Sequence, residues 1–173
     1  MWDRVSDPVR PAGPHHAAAE IRLPPSPPHL QKDGHPLFVT FATQRRRKLP
    51  ASARDVVLEH CLNQHGNKLT LHAAVVMPDH LHIIYSPLRR EDGWNFSLPE
   101  IMKAIKGAAA WRTNHMLERT GPVWQEEFFD HVLRSNESLM DKVDYVFQNP
   151  VRAGLVKSES EYRWLWNGNI PVL

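Results

Sequence analysis

Two histidines separated by one residue, His80 and His82, have the spacing that most clearly indicates chemistry in this sequence. They follow a Pro-Asp pair between two short apolar segments, which predicts two strands joined by a tight turn. Because strand side chains alternate between faces, both imidazoles should lie on one face, with Leu81, Ile83 and Tyr85 on the other. Neutral imidazole binds divalent cations, and two protein ligands leave coordination positions open. The pair alone does not establish a metal site, since the chain has eleven histidines.

A second pair of candidate residues, Tyr145 and Asn149, lies one turn apart on a predicted helix. The buried stripe of this helix is predicted from its apolar residues, which are Leu139, Met140, Val143, Val146 and Phe147. Tyr145 should point away from that stripe, with Asn149 above it. A phenol can act as a nucleophile and an amide oxygen can bind a metal, but an exposed tyrosine on an amphipathic helix is the alternative. Pro150 disfavours helical geometry at Asn149, so Gln148 is a rival ligand.

Composition restricts the class of protein. The 173 residues, 42% of them hydrophobic, suit one compact domain with a substantial core. The single cysteine, Cys61, allows neither a disulfide framework nor a cysteine-based zinc site. No run of eighteen apolar residues and no secretory signal pattern is present in the sequence, which predicts a cytoplasmic protein. The net charge of +2 permits nucleic-acid binding without requiring it.

The predicted elements follow the order β-α-β-β-α-β. Residues 1–35 contain seven of the fifteen prolines and are predicted to be a disordered extension, followed by one domain over residues 36–173. Strands are predicted at residues 37–43, 69–77, 81–86 and 123–133, with helices at residues 52–65 and 98–117. A further helix begins at Ser135 or Asn136 and carries Tyr145. The predicted fold is therefore α+β and ferredoxin-like, an antiparallel sheet with helices on one face plus this C-terminal helix.

Three segments of the sequence resemble the HUH single-tyrosine transposases, and most closely the REP-associated tyrosine transposases. They are Val76-Met-Pro-Asp-His-Leu-His82, residues 123–131, and Asp144-Tyr-Val-Phe-Gln-Asn-Pro-Val-Arg-Ala-Gly-Leu-Val156. The similarity keeps the same order over about 120 residues, from residue 37 to residue 156. This resemblance implies that His80, His82 and Asn149 hold Mg²⁺ or Mn²⁺. It also implies that Tyr145 is the nucleophile.

The implied function is metal-dependent transesterification on single-stranded DNA near a hairpin. Tyr145 would attack a backbone phosphorus, form a 5′-phosphotyrosine link and release a 3′-hydroxyl, and the reverse reaction would rejoin the strand. His131 is a candidate base, but a strand histidine in ordinary hydrogen bonds is the alternative. The expected partner is single-stranded DNA with REP-like hairpins. The protein would be a monomer or homodimer in the bacterial cytoplasm, associated with the nucleoid and not with a membrane.

Basic residues are expected to contact the DNA backbone, and they are Arg45, Arg46, Arg47, Lys103, Lys106, Arg134 and Arg152. Among the tryptophans, Trp94 and Trp164 are predicted to be freer to stack on bases than Trp111 and Trp124, which fit a core at least as well.

Two alternatives stay open. One is a catalytically silent DNA-binding protein on the same fold. The other is a small zinc enzyme that uses His80 and His82. The sequence disfavours the zinc enzyme, because it places no third ligand at a zinc-site spacing and no glutamate beside the histidine pair.

Overall fold

The computed structural model describes residues 34–168, without the side chain of Glu137. It contains a five-stranded sheet in the order β4-β1-β3-β2-β5, in which every neighbouring pair is antiparallel. The strands are β1 (Leu37–Ala42), β2 (Leu69–Val76), β3 (His80–Pro87), β4 (Phe129–Val132) and β5 (Leu165–Asn167). The predicted α+β fold is confirmed. The predicted extension over residues 1–35 lies outside the described residues except for its last two positions.

Four α-helices accompany the sheet within the described residues. They are α1 (Ala51–Leu62), α2 (Leu98–Met102), α3 (Ala108–Met116) and α4 (Asn136–Arg152). A π-helical turn, Lys103–Gly107, joins α2 to α3. The predicted helix over residues 98–117 is therefore a continuous helical segment with a π-bulge in its middle. Ser97 caps α2 through a reciprocal capping box with Glu100.

The sheet separates two apolar cores, because alternate residues of each strand face opposite sides. Val39 and Phe41 of β1 pack in one core, which also takes residues of α1, α2 and α3. Phe38, on the other face of β1, belongs to a second core with Leu139, Val143 and Val146 of α4. The described residues therefore form three layers, and α4, with Tyr162 after it, packs on the face that also carries His80 and His82.

Two elements differ from the sequence-based expectation. The predicted strand over residues 123–133 is reduced to β4 at its C-terminal end, and Trp124 keeps only an isolated bridge to Thr43. The Lys106 ammonium binds the backbone oxygens of Gln125 and Glu126 at 2.8 and 3.2 Å, so this stretch packs as a loop. β5 was not predicted; it extends the sheet by pairing with β2.

Within residues 34–168, no helix combines the length and the apolar character that a membrane span requires.

Candidate active site

His80 and His82 lie at the start of β3, the central strand of the sheet. The register places His80 opposite Ala42 and His82 opposite Thr40, both on β1. The two imidazole ring centroids are 4.8 Å apart, with an interplanar angle of 81°. Leu81, in contrast, belongs to the core on the opposite face, as strand alternation predicts. Two imidazoles thus converge on one small region of the α4-covered face.

Each imidazole is oriented by a partner at its Nδ1 atom. Asp79 Oδ1 lies 2.7 Å from His80 Nδ1, and Asp79 Oδ2 lies 3.0 Å from Arg46 Nε. Thr40 Oγ1 lies 2.6 Å from His82 Nδ1. When both Nδ1–H groups donate to these oxygens, the lone pair of each ring is left on Nε2. Partners of this kind fix the tautomer of metal-binding histidines.

The His82 imidazole is held in its neutral form. Burial is the largest effect, and with the nearby His80 it lowers the pKa of His82 to about 3, while the Asn149 side chain, as an acceptor for the ring, opposes this fall. The Asn149 contact is not a well-formed hydrogen bond, since the buried His82 Nε2 has no regular partner among residues 34–168. A buried nitrogen with a free lone pair, beside an amide oxygen, fits a cation ligand.

Asp79 stays ionised next to this pair. Burial raises the pKa of its carboxyl, but the hydrogen bond to His80 and the Arg46 charge together bring it below the ordinary value. The residues suited to a divalent ion are therefore two imidazoles and one carboxamide. No group of three His, Cys, Asp or Glu side chains suited to a metal forms in the described part of the chain.

Helix α4 brings the second pair of residues to the site. Ser135 caps the helix and accepts a hydrogen bond from the Ser138 backbone. The helix continues through Pro150 to Arg152, so Asn149 keeps a helical position, and its Nδ2 donates to the Tyr145 carbonyl at 3.1 Å. The amide oxygen of Asn149 therefore remains available to interact with His82. The rival residue, Gln148, instead points to Glu159, 3.4 Å away.

Tyr145 lies beside the histidines. Its ring centroid is 5.4 Å from that of His82 at an interplanar angle of 73°, and 6.0 Å from that of Phe38. The prediction that Tyr145 points away from the packed face was therefore wrong. The cause is Met140, which was assigned to the buried stripe but is 45% exposed. The true buried arc is rotated toward Tyr145 and Asn149.

Two cations flank the Tyr145 ring. Lys142 Nζ lies 5.5 Å from the ring centroid and 5.4 Å from that of Phe38. Arg152 Cζ lies 5.6 Å from the Tyr145 ring on the following helical turns. Their positive charges can offset an anion at the phenol oxygen.

The basic residues predicted to contact DNA fall into two groups. The loop of Arg45, Arg46 and Arg47 is exposed and tied to the histidine turn, because Thr43 binds the Asp79 backbone as well as Arg47. Arg45 and Arg46 both have φ of 54°, a left-handed conformation that arginine rarely adopts. Among the predicted cations, this loop lies by the histidine turn and Arg152 lies beside the Tyr145 ring.

The remaining predicted basic residues lie elsewhere. Arg134 is exposed after β4, at the strand end opposite to His80. Lys103 and Lys106 belong to the helical layer on the other face, and the half-buried Lys106 is engaged by backbone oxygens. Burial lowers the pKa of Lys106, opposed by Glu126.

Several side chains at the site were missed from the sequence. Asp79 adjoins His80, and Lys142 precedes Tyr145 by one helical turn, so spacing could have indicated both. Thr40 and Phe38 could not be found in this way, because their contacts depend on the β1–β3 register. The predicted base His131 is exposed on β4, opposite Phe38.

The tryptophans divide differently from the prediction. Trp94 is 57% exposed as expected, but Trp111, assigned to a core, is 71% exposed and stacked on His115. Trp124 is buried. Trp164 lies under the Arg54 guanidinium, 3.5 Å from its carbon, so it is not free for stacking.

Two of the comparisons with known proteins find REP-associated tyrosine transposases. No family model matches the chain. It is 26% identical over 127 residues, 72% of each protein, to the REP-associated tyrosine transposase of Escherichia coli (strain K12). A Haemophilus influenzae protein with the same family name is 24% identical over 90 residues, 49% of this chain and 51% of that protein.

The fold is also that of a solved structure, a REP-associated tyrosine transposase bound to a REP hairpin. The TM-score is 0.61 at 22% sequence identity, with 81% of this chain and 89% of the other covered. This similarity confirms the arrangement of the sheet and helices.

Proposed function

Since this chain is a relative of the REP-associated tyrosine transposases, we propose that it cleaves and rejoins single-stranded DNA next to a hairpin by metal-dependent transesterification. One observation carries the proposal. The Tyr145 ring lies 5.4 Å from the His82 ring, whose buried Nε2 has no regular hydrogen-bond partner among the described residues. A nucleophile beside a cation-binding pair is the arrangement that phosphoryl transfer to tyrosine requires.

The proposed ligands of Mg²⁺ or Mn²⁺ are His80, His82 and Asn149. When bound, the ion would polarise the scissile phosphate and stabilise its developing negative charge. The protein's part is to keep both imidazoles neutral and oriented, through Asp79 on His80 and Thr40 on His82.

In the proposed reaction, the Tyr145 oxygen forms a bond to a backbone phosphorus, and the bond from that phosphorus to the 3′-oxygen breaks. The phenol loses its proton and the leaving 3′-oxygen gains one, so the step releases no net proton. The products are a 5′-phosphotyrosine link and a free 3′-hydroxyl. Because one phosphodiester replaces another, attack by a 3′-hydroxyl rejoins the strand without ATP. Lys142 and Arg152, which flank the ring, would offset the charge of the attacked phosphate.

The proposed substrate is single-stranded DNA that carries a hairpin. The E. coli relative is named for its association with REP elements, and the structural relative is bound to a REP hairpin. The exposed loop of Arg45 and Arg47 provides cations for the DNA backbone near the site. The histidines and Tyr145 of one chain lie side by side, which supports action as a monomer, and a homodimer would carry two such sites. Action on DNA accords with a place at the bacterial nucleoid.

The test uses a 5′-labelled hairpin oligonucleotide with single-stranded flanks, with Mg²⁺ or Mn²⁺. Wild type should give a shortened labelled strand and a protein–DNA adduct that survives SDS. Tyr145→Phe should give neither, because it lacks the attacking oxygen, and EDTA or His80→Ala should abolish both products. Tyr85→Phe is the matched control, since it also removes one phenol oxygen, but from the core on the opposite face of the sheet, where that oxygen makes no hydrogen bond to the described residues, and it should keep cleavage.

A different result would favour the catalytically silent DNA-binding protein. In that case, wild type and Tyr145→Phe would bind the oligonucleotide equally, without metal dependence and without an adduct.

A further inference from the structure

An exposed aromatic residue, Phe129, lies on the same face of the sheet as the candidate active site. The register pairs Phe129 with Thr40 and His131 with Phe38, which places all four side chains on the face of His82. Helix α4 packs over β2 and β3. On the β4 side of this face Phe129 is 37% exposed. The function described above assigns no role to this residue.

Phe129 is connected to the site by aromatic contacts. Its ring lies edge-on to Phe38, with centroids 6.2 Å apart and an interplanar angle of 68°. Phe38 in turn is stacked on His82 at 5.6 Å and 18°, and meets the Tyr145 ring edge-on at 6.0 Å. Phe38 therefore sets the position of Phe129 relative to both His82 and Tyr145. A group stacked on Phe129 would lie near the phosphate that Tyr145 attacks.

The charge next to this aromatic surface is positive. Lys142 Nζ lies 5.4 Å from the Phe38 ring centroid. Asp130, between Phe129 and His131, is paired with Val39 and therefore belongs to the opposite face. An exposed aromatic ring, with an ammonium group at the neighbouring Phe38 ring, matches a nucleotide of a single strand, since the base can stack and the backbone phosphate can meet the cation.

We propose that Phe129 is the stacking platform for an unpaired base next to the phosphate that Tyr145 attacks, with Lys142 contacting the adjoining backbone. This inference rests on the proposed function and adds how the strand is positioned. Phe129 would act as a positioning residue, because it holds the nucleotide beside the reacting atoms without taking part in bond making. Stacking tolerates any base, so the platform would fix the path of the strand more than its sequence.

The experiment measures binding of a fluorescein-labelled hairpin oligonucleotide with single-stranded flanks, in a Tyr145→Phe background that prevents cleavage. Phe129→Ala should weaken binding about 5- to 100-fold, the range expected for the loss of one stacked base. Phe129→Leu should weaken it similarly, since leucine keeps an apolar side chain but has no aromatic face. Phe129→Trp should retain affinity. Trp111→Ala is the control, because it removes an exposed aromatic ring from the opposite helical layer and should leave binding unchanged.

Abasic substitutions in the flanks locate the stacked base. At one flank position, an abasic site should weaken binding to the protein that retains Phe129 but not to the Phe129→Leu protein. The reason is that the abasic site and the substitution each remove one partner of the same stacking contact. Wild-type affinity for Phe129→Leu, or equal effects of every abasic site in both proteins, would overturn the proposal. A change in dimer formation by size-exclusion chromatography, with DNA affinity intact, would assign the surface to a second copy of the chain and overturn it too.

The outcome also separates this inference from the proposed function. If wild-type protein forms the Tyr145 adduct while Phe129→Leu binds and cleaves normally, the stacking platform alone is wrong. If no adduct forms with the wild-type protein, the proposed function is wrong, and the assignment of Phe129 to a base beside an attacked phosphate is wrong with it.

Discussion

The two imidazoles of the site differ in their surroundings. His82 is 5% exposed and lies between Phe38 and the Asn149 amide, whereas His80 stands at the edge with an ionised carboxylate and Arg46 behind it. A buried neutral imidazole keeps its lone pair available at physiological pH, because a proton on it would be a charge removed from water. The partner on Nδ1 then decides which nitrogen faces a cation. Thr40 supplies that partner for His82.

Thr40→Val tests this orienting contact. Valine keeps the β-branched shape of threonine and removes the oxygen that lies 2.6 Å from His82 Nδ1. We expect the affinity for Mn²⁺ to fall about 10- to 100-fold, the usual effect of losing a partner of a metal-binding histidine. The measurement is isothermal titration calorimetry with Mn²⁺. Thr70→Val on β2 is the control and should bind Mn²⁺ as wild type does; an unchanged affinity in Thr40→Val would show that Thr40 does not orient the ligand.

For individual residues, the sequence predicted which side chains share a face of a strand or helix, because periodicity determines this. The shared face of His80 and His82 follows from the period of two, and the shared side of Tyr145 and Asn149 follows from their spacing of four. Periodicity does not give cross-strand register, so Thr40 and Phe38 were missed. It also placed Tyr145 on the wrong side of α4, because Met140 is apolar but exposed and shifted the expected buried arc.

At the scale of elements, the C-terminal segment supports the histidine turn. The Tyr162 hydroxyl donates to the Val76 carbonyl at 2.9 Å and accepts from Arg54 at 3.2 Å. Val76 ends β2, directly before the turn that leads to His80, and its amide donates to the Trp164 carbonyl. Neither this segment nor β5 was predicted from sequence. β5 has only three residues, which is too short for an alternating apolar pattern to be recognised in the sequence. These residues form a strand because they pair with β2.

Tyr162→Phe should destabilise the protein without removing its fold. The substitution removes one buried hydrogen bond from the Val76 carbonyl and one partly buried hydrogen bond from the Arg54 guanidinium. The free energy of unfolding should fall by about 1–3 kcal/mol. Urea denaturation followed by circular dichroism measures this change. Ser160→Ala, an exposed substitution in the same segment, should change stability by less than about 0.5 kcal/mol. Equal stability of Tyr162→Phe and wild type would show that this hydrogen bond does not hold the segment.

For the molecule as a whole, the three layers separate the cations into two sets. Arg45, Arg47 and Arg152 lie near the histidines or the Tyr145 ring, whereas Lys103 lies in the helical layer on the other face. The sequence could identify all of these residues as basic. The sequence could not assign each basic residue to a face of the sheet, because that face depends on how α1, α2 and α3 pack against it.

The salt dependence of DNA binding tests this division. The double variant Arg45→Gln/Arg47→Gln should lower the slope of log K against log salt by about 1.4, since each lost phosphate contact on a single strand contributes about 0.7. Lys68→Gln/Lys103→Gln removes the same charge from the opposite layer and should leave the slope unchanged. Fluorescence anisotropy at several salt concentrations gives both slopes. Equal slopes for the two double variants would mean that net charge, and not the face near the site, determines binding.

The central claim, attack by Tyr145 on a DNA phosphate, is tested most directly by mass spectrometry of the SDS-resistant adduct after protease digestion. The protein has three tyrosines, and Tyr85 and Tyr162 are buried, so they serve as internal comparisons. We predict that the nucleotide is linked through its 5′-phosphate to the peptide containing Tyr145, and that the released fragment ends in a 3′-hydroxyl that a polymerase can extend. A modified peptide containing another residue, or cleavage with no peptide modified, would contradict the account.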